Sequence, residues 1–353
     1  MLLHQNLGVD IAAKSFRVCL MVKYQDLRTK IKGQRKFDNT PAGFEALQAW
    51  LAKKADPEVN LSVTMEATGV YYERLAFWLH ELGHTVRVLL PNRIKGYFKF
   101  MNLKSKTDKQ EAKALAELGL DKRLPQWKPA SPQMYELKRL SRERNTLLDE
   151  KTAISNRLHA EKSCRQPDQR IISRQQARIA LIEDQLEEVA QQMQELAAQD
   201  EQLCQRIEQI CRIKGVAFNT VLAIIAETNG FALIEHKSQL VSYAGYDVVE
   251  RESGTSVKGK TRISKQGNSH IRRALHFPAI SVVKYHEEFA SLYERVFDRT
   301  KIKMKGYVAV QRKLLVLIYT LYKKGIPYDP NYYKQPLPGQ KGSRQDTRPA
   351  YTG

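Results

Sequence analysis

The sequence predicts an α/β N-terminal domain, an antiparallel coiled-coil insertion and a mainly helical C-terminal domain. Alternating apolar and polar positions near the N-terminus indicate strands, apolar residues at three- and four-residue spacing between 132 and 212 indicate two long helices, and a compact apolar pattern resumes at Ile213. Residues 334–353 are rich in Pro, Gly and polar side chains, as a flexible tail would be. The expected domain boundaries are therefore 1–130, 131–212, 213–333 and 334–353.

The N-terminal domain is expected to follow the order β-β-β-α-β-α-β-α. The expected elements are strands 5–12, 16–22 and 28–37, helix 41–53, strand 61–66, helix 70–82, strand 85–90 and a helix that begins after Thr107. In ribonuclease-H-like folds this order places the first strand at the centre of the sheet and the fourth strand beside it. Asp10 and Glu66 would then be neighbours.

Two apolar seams predict the helical hairpin. The second seam has coiled-coil spacing, interrupted by polar Asp200, and consists of Ile179, Ile182, Leu186, Val189, Met193, Leu196, Leu203, Ile207 and Ile210. The first is weaker because two basic residues interrupt it, and it consists of Leu137, Leu140, Arg144, Leu147, Lys151, Ile154 and Leu158. A break at 164–168, which contains Pro167, predicts the turn between them. Plain structural packing and a role in holding subunits together are both open for this hairpin.

The region after Ile213 is expected to be compact and mainly helical. Its expected elements are a tight turn at Gly215, helix 216–226, a helix that ends at 240–245, a loop over 251–270, and helices 271–284 and 308–322. The loop is rich in Gly, Ser and basic side chains.

Composition points to a partner that carries phosphates. The formal net charge is +20, the pI is about 9.7, and the excess of basic residues is spread along the chain, which is the usual electrostatic footprint of a nucleic-acid-binding protein. No run of about 18 apolar residues and no signal-peptide pattern is present, so the expected location is cytoplasmic rather than membrane-bound. The four cysteines lack zinc-ligand spacing and are expected to be reduced thiols.

Four acidic residues lie where a metal site could assemble: Asp10, Glu66, Asp108 and Glu111. A charge inside an apolar strand, as at Asp10, is costly to bury unless a cation or a donor lies beside it. Thr107 and Gln110 fit a capping box, so Asp108 and Glu111 fall in the first turn of a helix, three residues apart on one face. Acids at a helix start commonly do no more than complement the helix dipole, and only the combination with Asp10 and Glu66 favours a metal site. Oxygen ligands suit Mg²⁺ or Mn²⁺, and two such ions about 4 Å apart could support phosphoryl transfer.

The 251–270 loop offers candidate nucleophiles. Ser253 and Gly254 are more often a simple turn, and Ser256 and Ser264 compete for any special role, so spacing alone selects no serine. Basic side chains around them could hold a phosphodiester against a hydroxyl group: Arg251, Lys258, Lys260, Arg262, Lys265, Arg272 and Arg273. A serine in that setting could act as a nucleophile.

A tyrosine nucleophile is a weaker possibility. His270 and Arg273, followed by Tyr307, imitate part of a tyrosine recombinase site. No upstream catalytic arginine can be singled out to complete it.

Taken together, these motifs resemble the insertion-sequence transposases related to the Piv DNA invertase, which are DEDD-type, bridge-RNA-guided serine recombinases. The resemblance covers most of residues 6–325. It is carried by Gly8-Val9-Asp10, Met65-Glu66-Ala67-Thr68-Gly69, Lys106-Thr107-Asp108-Lys109-Gln110-Glu111-Ala112, the turn at Gly215, Tyr243-Ala244-Gly245, Ser253-Gly254, Arg262-Ile263-Ser264-Lys265-Gln266-Gly267-Asn268 and Arg272-Arg273-Ala274-Leu275.

The resemblance implies a ribonuclease-H-like domain of Holliday-junction-resolvase type, a coiled-coil insertion and a C-terminal transposase domain that supplies the serine. The family's serine corresponds best to Ser253, with Ser256 in reserve. The four acids would hold Mg²⁺ or Mn²⁺, and a homotetramer would act on donor and target DNA. Target choice would rest with a structured noncoding guide RNA, and the protein would be associated with the bacterial nucleoid.

One departure from the family pattern concerns the last acidic pair. The family usually has Asp-x-x-Asp, whereas this chain has Asp108-x-x-Glu111. Glutamate can still ligate a metal, but its extra methylene group moves the carboxylate by about one bond length, so either the helix lies slightly farther back or metal affinity changes.

Two alternatives belong to other functional classes. A metal-dependent junction nuclease would use the acids with water as the nucleophile, and the serine loop would only grip the DNA backbone. A noncatalytic DNA- or RNA-binding protein is favoured only if the acids fail to converge. DNA that stays attached to the denatured protein would distinguish the recombinase from both.

Overall fold

The computed structural model describes residues 1–67, 69–101, 107–232, 234–249, 252–253, 257–258 and 262–330. The chain forms two compact units, Met1–Pro129 and Ala130–Gly353. The first contains a mixed sheet with helices, and the second is mainly helical. None of the helices in the described residues is both long and apolar enough to span a bilayer. The expected tail at 334–353 lies outside the described residues.

A five-stranded mixed sheet forms the centre of the first unit. Its strands are β1 (Leu2–Ile11), β2 (Ser15–Tyr24), β3 (Thr29–Asp38), β4 (Leu61–Glu66) and β5 (Thr85–Leu89), in the spatial order β3-β2-β1-β4-β5. The first three strands pair antiparallel as a meander, and β4 joins β1 in parallel. The predicted meander, the central place of β1 and the neighbouring β4 are confirmed, with strand ends shifted by up to three residues.

Helices cover both faces of this sheet. They are α1 (Pro41–Lys54), α2 (Glu73–Glu81), α3 (Pro91–Phe100) and α4 (Asp108–Asp121). One face packs Phe16, Val18 and Leu20 against apolar side chains of α1 and α2. The other face packs Cys19 and Met21 against α4. Helix α3 was not predicted from the sequence, and α2 begins three residues later than expected, because exposed Val70 and Tyr71 lie in a turn.

The contact between α4 and β1 is unusually close. A Cβ atom at Gly8 would lie 2.0 Å from the Ala112 carbonyl oxygen, and one at Gly119 would lie 2.1 Å from Asn6 Nδ2. Buried Asn6 fixes the register, because its Nδ2 donates to the Ala116 carbonyl at 3.0 Å and its Oδ1 accepts from Thr64 Oγ1 at 3.1 Å. Helix and strand can therefore meet only at one level along their axes.

The edge strand β3 is basic. Lys30, Lys32 and Lys36 are all exposed on it, and no other strand of the sheet pairs with its outer side.

The second unit begins with a long helical hairpin made of α5 (Pro132–Ser163) and α6 (Gln169–Ala198). Gln133 Nε2 donates to the Leu196 carbonyl at 2.6 Å, and Lys151 pairs with Glu183 at 2.7 Å, so the helices run antiparallel. The antiparallel arrangement and the break at 164–168 agree with the prediction. Coiled-coil supercoiling and a role between subunits stay predictions.

Asp200, the polar residue in the second seam, ends one helix and starts another. Its side chain accepts from the Leu203 backbone N–H at 3.0 Å and caps α7 (Glu201–Cys211). The apolar seam continues across the break, because Leu203, Ile207 and Ile210 are buried in the same core as Met193. The interruption is therefore an N-cap.

In the part of the chain that the structure describes, six further helices follow α7 in the second unit. They are α8 (Phe218–Glu227), α9 (Lys237–Tyr243), α10 (Ser269–Ala274), α11 (His276–Tyr285), α12 (Glu287–Thr300) and α13 (Lys303–Lys324). The expectation of one helix over 271–284 was wrong, because the chain forms two short helices there, and α12 was missed. The apolar residues of these helices share one core with the hairpin and α7.

We expect Gly8→Ala to lower the free energy of unfolding of the first unit by about 1–3 kcal/mol, because the added methyl group overlaps the α4 backbone. All three tryptophans, Trp50, Trp78 and Trp127, belong to this unit. Urea unfolding followed by tryptophan fluorescence therefore reports on it selectively.

Gly96→Ala is the matched control. Gly96 lies within α3 and has nothing within 4 Å of its added Cβ, so alanine there should be neutral or stabilising by up to about 1 kcal/mol. Equal unfolding midpoints for the Gly8 variant and the wild type would contradict the packing argument.

Candidate functional site

Asp10 and Glu66 lie side by side at the ends of two parallel strands. Val9 pairs with Met65 in the β1–β4 ladder, and the two acids follow one residue later on each strand. Side chains two residues apart point to the same face of a sheet. Glu66 therefore shares the face of Thr64, and Asp10 that of Gly8, which is the face that α4 covers.

Asp108 and Glu111 lie in the first turn of α4, as predicted. Thr107 is the N-cap, and its side chain accepts from the Gln110 backbone N–H at 3.4 Å. Asp108 is exposed, whereas Glu111 is half-buried with its Oε1 atom shielded from solvent.

The way in which α4 packs along β1 places the start of α4 next to the ends of β1 and β4. Asn6 lies against Ala116 and Gly8 lies against Ala112, so α4 runs antiparallel to β1. Two strand residues rise by about 6.6 Å and four helix residues by about 6 Å. Asp10 lies two residues after Gly8 on β1, and Asp108 lies four residues before Ala112 on α4. Asp10 and Asp108 are therefore at the same height along the sheet.

The carboxylates share one face and one end of the sheet without forming a closed ligand cage. In the described part of the chain, no group of three or more His, Cys, Asp or Glu side chains could hold a metal ion. The chemistry of the four acids suits the oxygen preference of Mg²⁺ or Mn²⁺. A metal ion at this position stays a prediction.

Two basic residues that the sequence analysis did not single out extend the row of acids. Arg17 lies opposite Asp10 on β2, and Lys36 lies opposite Arg17 on β3. Directly opposed residues of antiparallel strands point to the same face, so two acids and two bases form one row across the sheet. The Arg17 Nε atom is buried, and within the described residues it has no hydrogen-bond partner. Strand register, rather than any local motif, brings this pair together.

In the second unit, part of the expected 251–270 loop is an antiparallel ribbon. Its described strands are β6 (Val248–Val249), β7 (Glu252–Ser253), β8 (Val257–Lys258) and β9 (Arg262–Ile263). β6 pairs with β9, and β7 pairs with β8 as a separate two-stranded sheet. Ser253 pairs with Val257 in the second of these pairs, and residues 250–251, 254–256 and 259–261 lie outside the described residues. Ser256, Arg251 and Lys260 lie outside the described residues, as do the side chains of Ser253 and Lys258.

Backbone hydrogen bonds between residues 243–247 and residues 264–268 close the base of this ribbon. The N–H groups of Ser264, Lys265 and Asn268 donate to the carbonyls of Asp247, Gly245 and Tyr243, at 2.7, 3.1 and 2.7 Å respectively. Gly267 makes this approach possible, because an added Cβ would lie 2.5 Å from the backbone of both Tyr243 and Gly245. The motifs at 243–245 and 266–268 therefore pack directly against each other at the base of the ribbon.

The basic residues around the ribbon fall into two groups. Arg262 and Lys265 are exposed. Arg272 Nη1 donates to the carbonyls of Ala244, Gly267 and Asn268, with the shortest distance, 2.7 Å, to Ala244.

Arg273 forms two hydrogen bonds of 2.5 and 2.7 Å to the Asp149 carboxylate on α5. The guanidinium groups of Arg272 and Arg273 are thus engaged within the unit, and their role as phosphate contacts stays a prediction.

A buried carboxylate joins the ribbon base to the hairpin. The Glu227 side chain at the end of α8 is only 1% exposed. It accepts two hydrogen bonds from Arg142 on α5, at 2.7 and 3.0 Å, and one from Asn268 Nδ2 at 2.7 Å. The Glu227 backbone carbonyl accepts from the Tyr243 hydroxyl group at 2.9 Å. No local motif marks Glu227, and the sequence analysis missed it.

The ionisation of these groups follows from their surroundings. Burial by itself raises the pKa of Glu227, but the hydrogen bonds and positive charge of Arg142, with a further hydrogen bond from Asn268, lower it on balance. Burial raises the pKa of the Tyr243 hydroxyl group, which therefore remains a donor. The carboxylate is held in its charged form.

Tyr307, the alternative nucleophile, is part of an aromatic cluster. Its ring centroid lies 4.6 Å from that of Tyr293, and Tyr293 in turn stacks on Phe297. The side chain is half-buried between α12 and α13.

Comparison with protein families identifies the class of enzyme. A model for DEDD transposases of the IS110 type, described as "Transposase", matches residues 7–161, and a second, described as "Transposase IS116/IS110/IS902 family", matches residues 207–294. The chain belongs to the IS110 family of DEDD-type transposases and is a DNA transposase or recombinase enzyme.

Two relatives are similar along nearly their whole length. Both are called pilin gene-inverting protein. The protein from Moraxella lacunata is 27% identical over 334 residues, and the protein from Moraxella bovis is 26% identical over 331 residues. Each alignment covers 92% of this chain and 97% of the relative. The chain is thus a transposase related to this invertase.

We expect the contribution of Glu227 to stability to depend on pH. Because folding lowers its pKa, this contribution is fully present above the unfolded pKa of about 4.3 and is lost as the pH falls through the folded pKa. The stability advantage of the wild type over Glu227→Gln should therefore be constant well above the unfolded pKa and shrink as the pH falls below about 4.3. Urea unfolding followed by circular dichroism measures it. A constant difference would show that the charge plays no part.

Proposed function

We propose that this transposase cuts and rejoins DNA through a covalent phosphoserine intermediate, with Ser253 as the nucleophile. The supporting observation is that Ser253 lies in the β7–β8 pair, in the segment that extends from a closed base. Exposed Arg262 and Lys265 along the same ribbon carry the positive charge that a phosphodiester requires. The resemblance to serine recombinases assigns the chemistry to this serine.

In the proposed step the Ser253 oxygen attacks the phosphorus atom of a DNA phosphodiester. A serine–phosphorus bond forms, one bridging phosphorus–oxygen bond breaks, and the proton from serine ends on the DNA hydroxyl group that leaves. Attack by a hydroxyl group of the exchanged strand reverses these changes and releases Ser253. Strand exchange therefore needs no external energy source.

The first unit is proposed to be ribonuclease-H-like, of Holliday-junction-resolvase type. Its element order, the central β1 and the shared face of the acids support this assignment. Asp10, Glu66, Asp108 and Glu111 would hold Mg²⁺ or Mn²⁺, which when bound would polarise the phosphate and help deprotonate the serine. Arg17 and Lys36 would contact neighbouring phosphates along the same row.

Assembly and guidance are inferred from the family resemblance. The acids belong to the first unit and Ser253 to the second, so the active site is proposed to be composite, with its halves supplied by different subunits of a homotetramer. Target choice is proposed to rest with a noncoding guide RNA. The sequence has a large positive charge but no recognisable groove-reading motif, which suits a protein that binds the DNA backbone while the RNA recognises the target sequence.

A metal-dependent junction nuclease is the second candidate. It is favoured by the placement of all four acids in one compact unit, without any contribution from Ser253. In that case the nucleophile would be water, and no DNA would become attached to the protein.

We expect Ser253→Ala to abolish strand cleavage and strand exchange together while DNA binding persists. The change removes only the nucleophilic oxygen, and loss of a nucleophile lowers turnover by up to about 10⁶-fold. The measurement is denaturing electrophoresis of protein incubated with labelled DNA, with Ser256→Ala as the matched variant.

Cutting by the Ser253 variant without an adduct would favour the nuclease. Loss in the Ser256 variant alone would move the nucleophile three residues along the chain.

We expect Asp10→Asn to lower cleavage by about 100-fold or more, because it removes a charged ligand, and even outer-shell changes cost 10–100-fold. Glu111→Asp retains the charge and should remain active. Cleavage titrated against Mg²⁺ and Mn²⁺ distinguishes weaker metal affinity from lost chemistry. Equal losses in both variants would argue against a metal role that rests on charge.

A further inference from the structure

The Glu227 carboxylate is buried in the second unit, whereas the four acids that the proposed mechanism uses belong to the first. Burying a charge is unfavourable unless the group is fully hydrogen-bonded. Replacing such a pair by apolar residues is often neutral or stabilising. Stability alone therefore does not require a charged group at this position.

The contacts of Glu227 converge on the segment that carries the ribbon. Its carboxylate binds Asn268, and the Asn268 backbone N–H closes the ribbon base on Tyr243. The Asn268 Oδ1 atom also accepts from the N–H groups of His270 and Ile271, at 2.9 and 3.2 Å, and so starts α10. One asparagine thus links the buried charge, the ribbon base and the following helix.

The same carboxylate ties this base to the hairpin through Arg142. A second link joins α5 to α10, the helix that Asn268 starts, because Arg273 on α10 binds Asp149 and the Asn145 carbonyl on α5. α5 and the ribbon base are therefore held as one body by charge-assisted hydrogen bonds, which are directional.

We propose that Glu227 is a positioning residue for the reaction: by holding Asn268, it fixes the base of the ribbon and thereby the direction in which Ser253 is presented to DNA relative to α5. The proposal rests on the proposed function, since it concerns the serine. Asn268 lies on one side of the base from which the segment with Ser253 extends, so a rotation at Asn268 would displace that segment. A shift of about 1 Å at a nucleophile lowers the rate by up to about 100-fold.

Asn268→Ser is the most selective test. Serine is a preferred N-cap residue, so the start of α10 is retained, but its side chain is too short to reach Glu227. The Arg142–Glu227 pair is left intact. At saturating DNA we expect the single-turnover rate of adduct formation to fall by about 10- to 100-fold, with an unchanged Kd for DNA and an unchanged unfolding midpoint. A wild-type rate would overturn the proposal.

A double variant separates positioning from stability. Glu227→Leu alone removes the acceptor of both the half-exposed Arg142 guanidinium and the Asn268 amide and should unfold more easily. Glu227→Leu with Arg142→Met replaces the pair by apolar side chains and should recover the unfolding midpoint. We expect the adduct rate to stay low in the double variant, because Asn268 still lacks its acceptor. Recovery of both properties together would show that Glu227 is only structural. If the double variant does not fold, Asn268→Ser decides.

Two controls complete the design. Glu288→Gln removes the salt bridge of 3.1 Å between α12 and α13 and should leave the adduct rate unchanged. If the wild-type protein forms no adduct, the proposed function has failed. Hydrogen exchange at the N–H groups of Ser264, Lys265 and Asn268 then tests whether the Glu227–Asn268 hydrogen bond fixes the ribbon base. Faster exchange in Asn268→Ser than in the wild type supports the proposal, and identical exchange overturns it.

Discussion

The direct packing of α4 on the central strand is the contact on which the placement of the acids depends. Side chains normally keep a helix well away from a sheet, but Gly8 allows the backbones of β1 and α4 to meet, and Gly119 leaves room for the Asn6 side chain. Asn6 then locks the level with a buried hydrogen bond. A slip of one helical turn, about 5.4 Å, would carry Asp108 past the strand ends. Steric fit in this unit therefore sets the register of the acids.

In the second unit, polar contacts hold the base of the ribbon in place. Glu227, Arg142 and Asn268 satisfy one another within a core that is otherwise apolar. Such a network favours one geometry, because hydrogen bonds lose strength quickly when their angles change. The two units thus use different means for the same end. Close packing, locked by one buried amide, positions the acids, and a charged hydrogen-bond network positions the base of the ribbon.

The sequence predicted the strands and the helical hairpin well because their patterns are local. Alternation identified β1 to β3, and the capping box at Thr107 located the start of α4. The sequence showed that Asp200 interrupts the seam. Only the structure shows that its side chain accepts from the Leu203 backbone N–H and so acts as an N-cap.

What the sequence could not supply was contact between distant residues. The pairing of Asp10 with Arg17 depends on strand register, and the hold of Glu227 on Asn268 joins residues 41 positions apart. Charge counting also predicted Arg272 and Arg273 as phosphate contacts, but it could not show that both guanidinium groups form hydrogen bonds within the protein. The ribbon was taken for a loop because its described strands have only two residues each.

The lysines of β3 have a consequence for solubility in a crowded setting. An unpaired edge strand offers backbone groups to any other extended chain, and neighbouring copies gathered on one nucleic acid would meet such edges often. Lys30, Lys32 and Lys36 place like charges wherever two of these edges approach. Edge-to-edge sheet growth is therefore disfavoured between copies, while the same charges remain attractive to a polyanion. One strand can discourage aggregation between copies and still attract the phosphate groups of DNA.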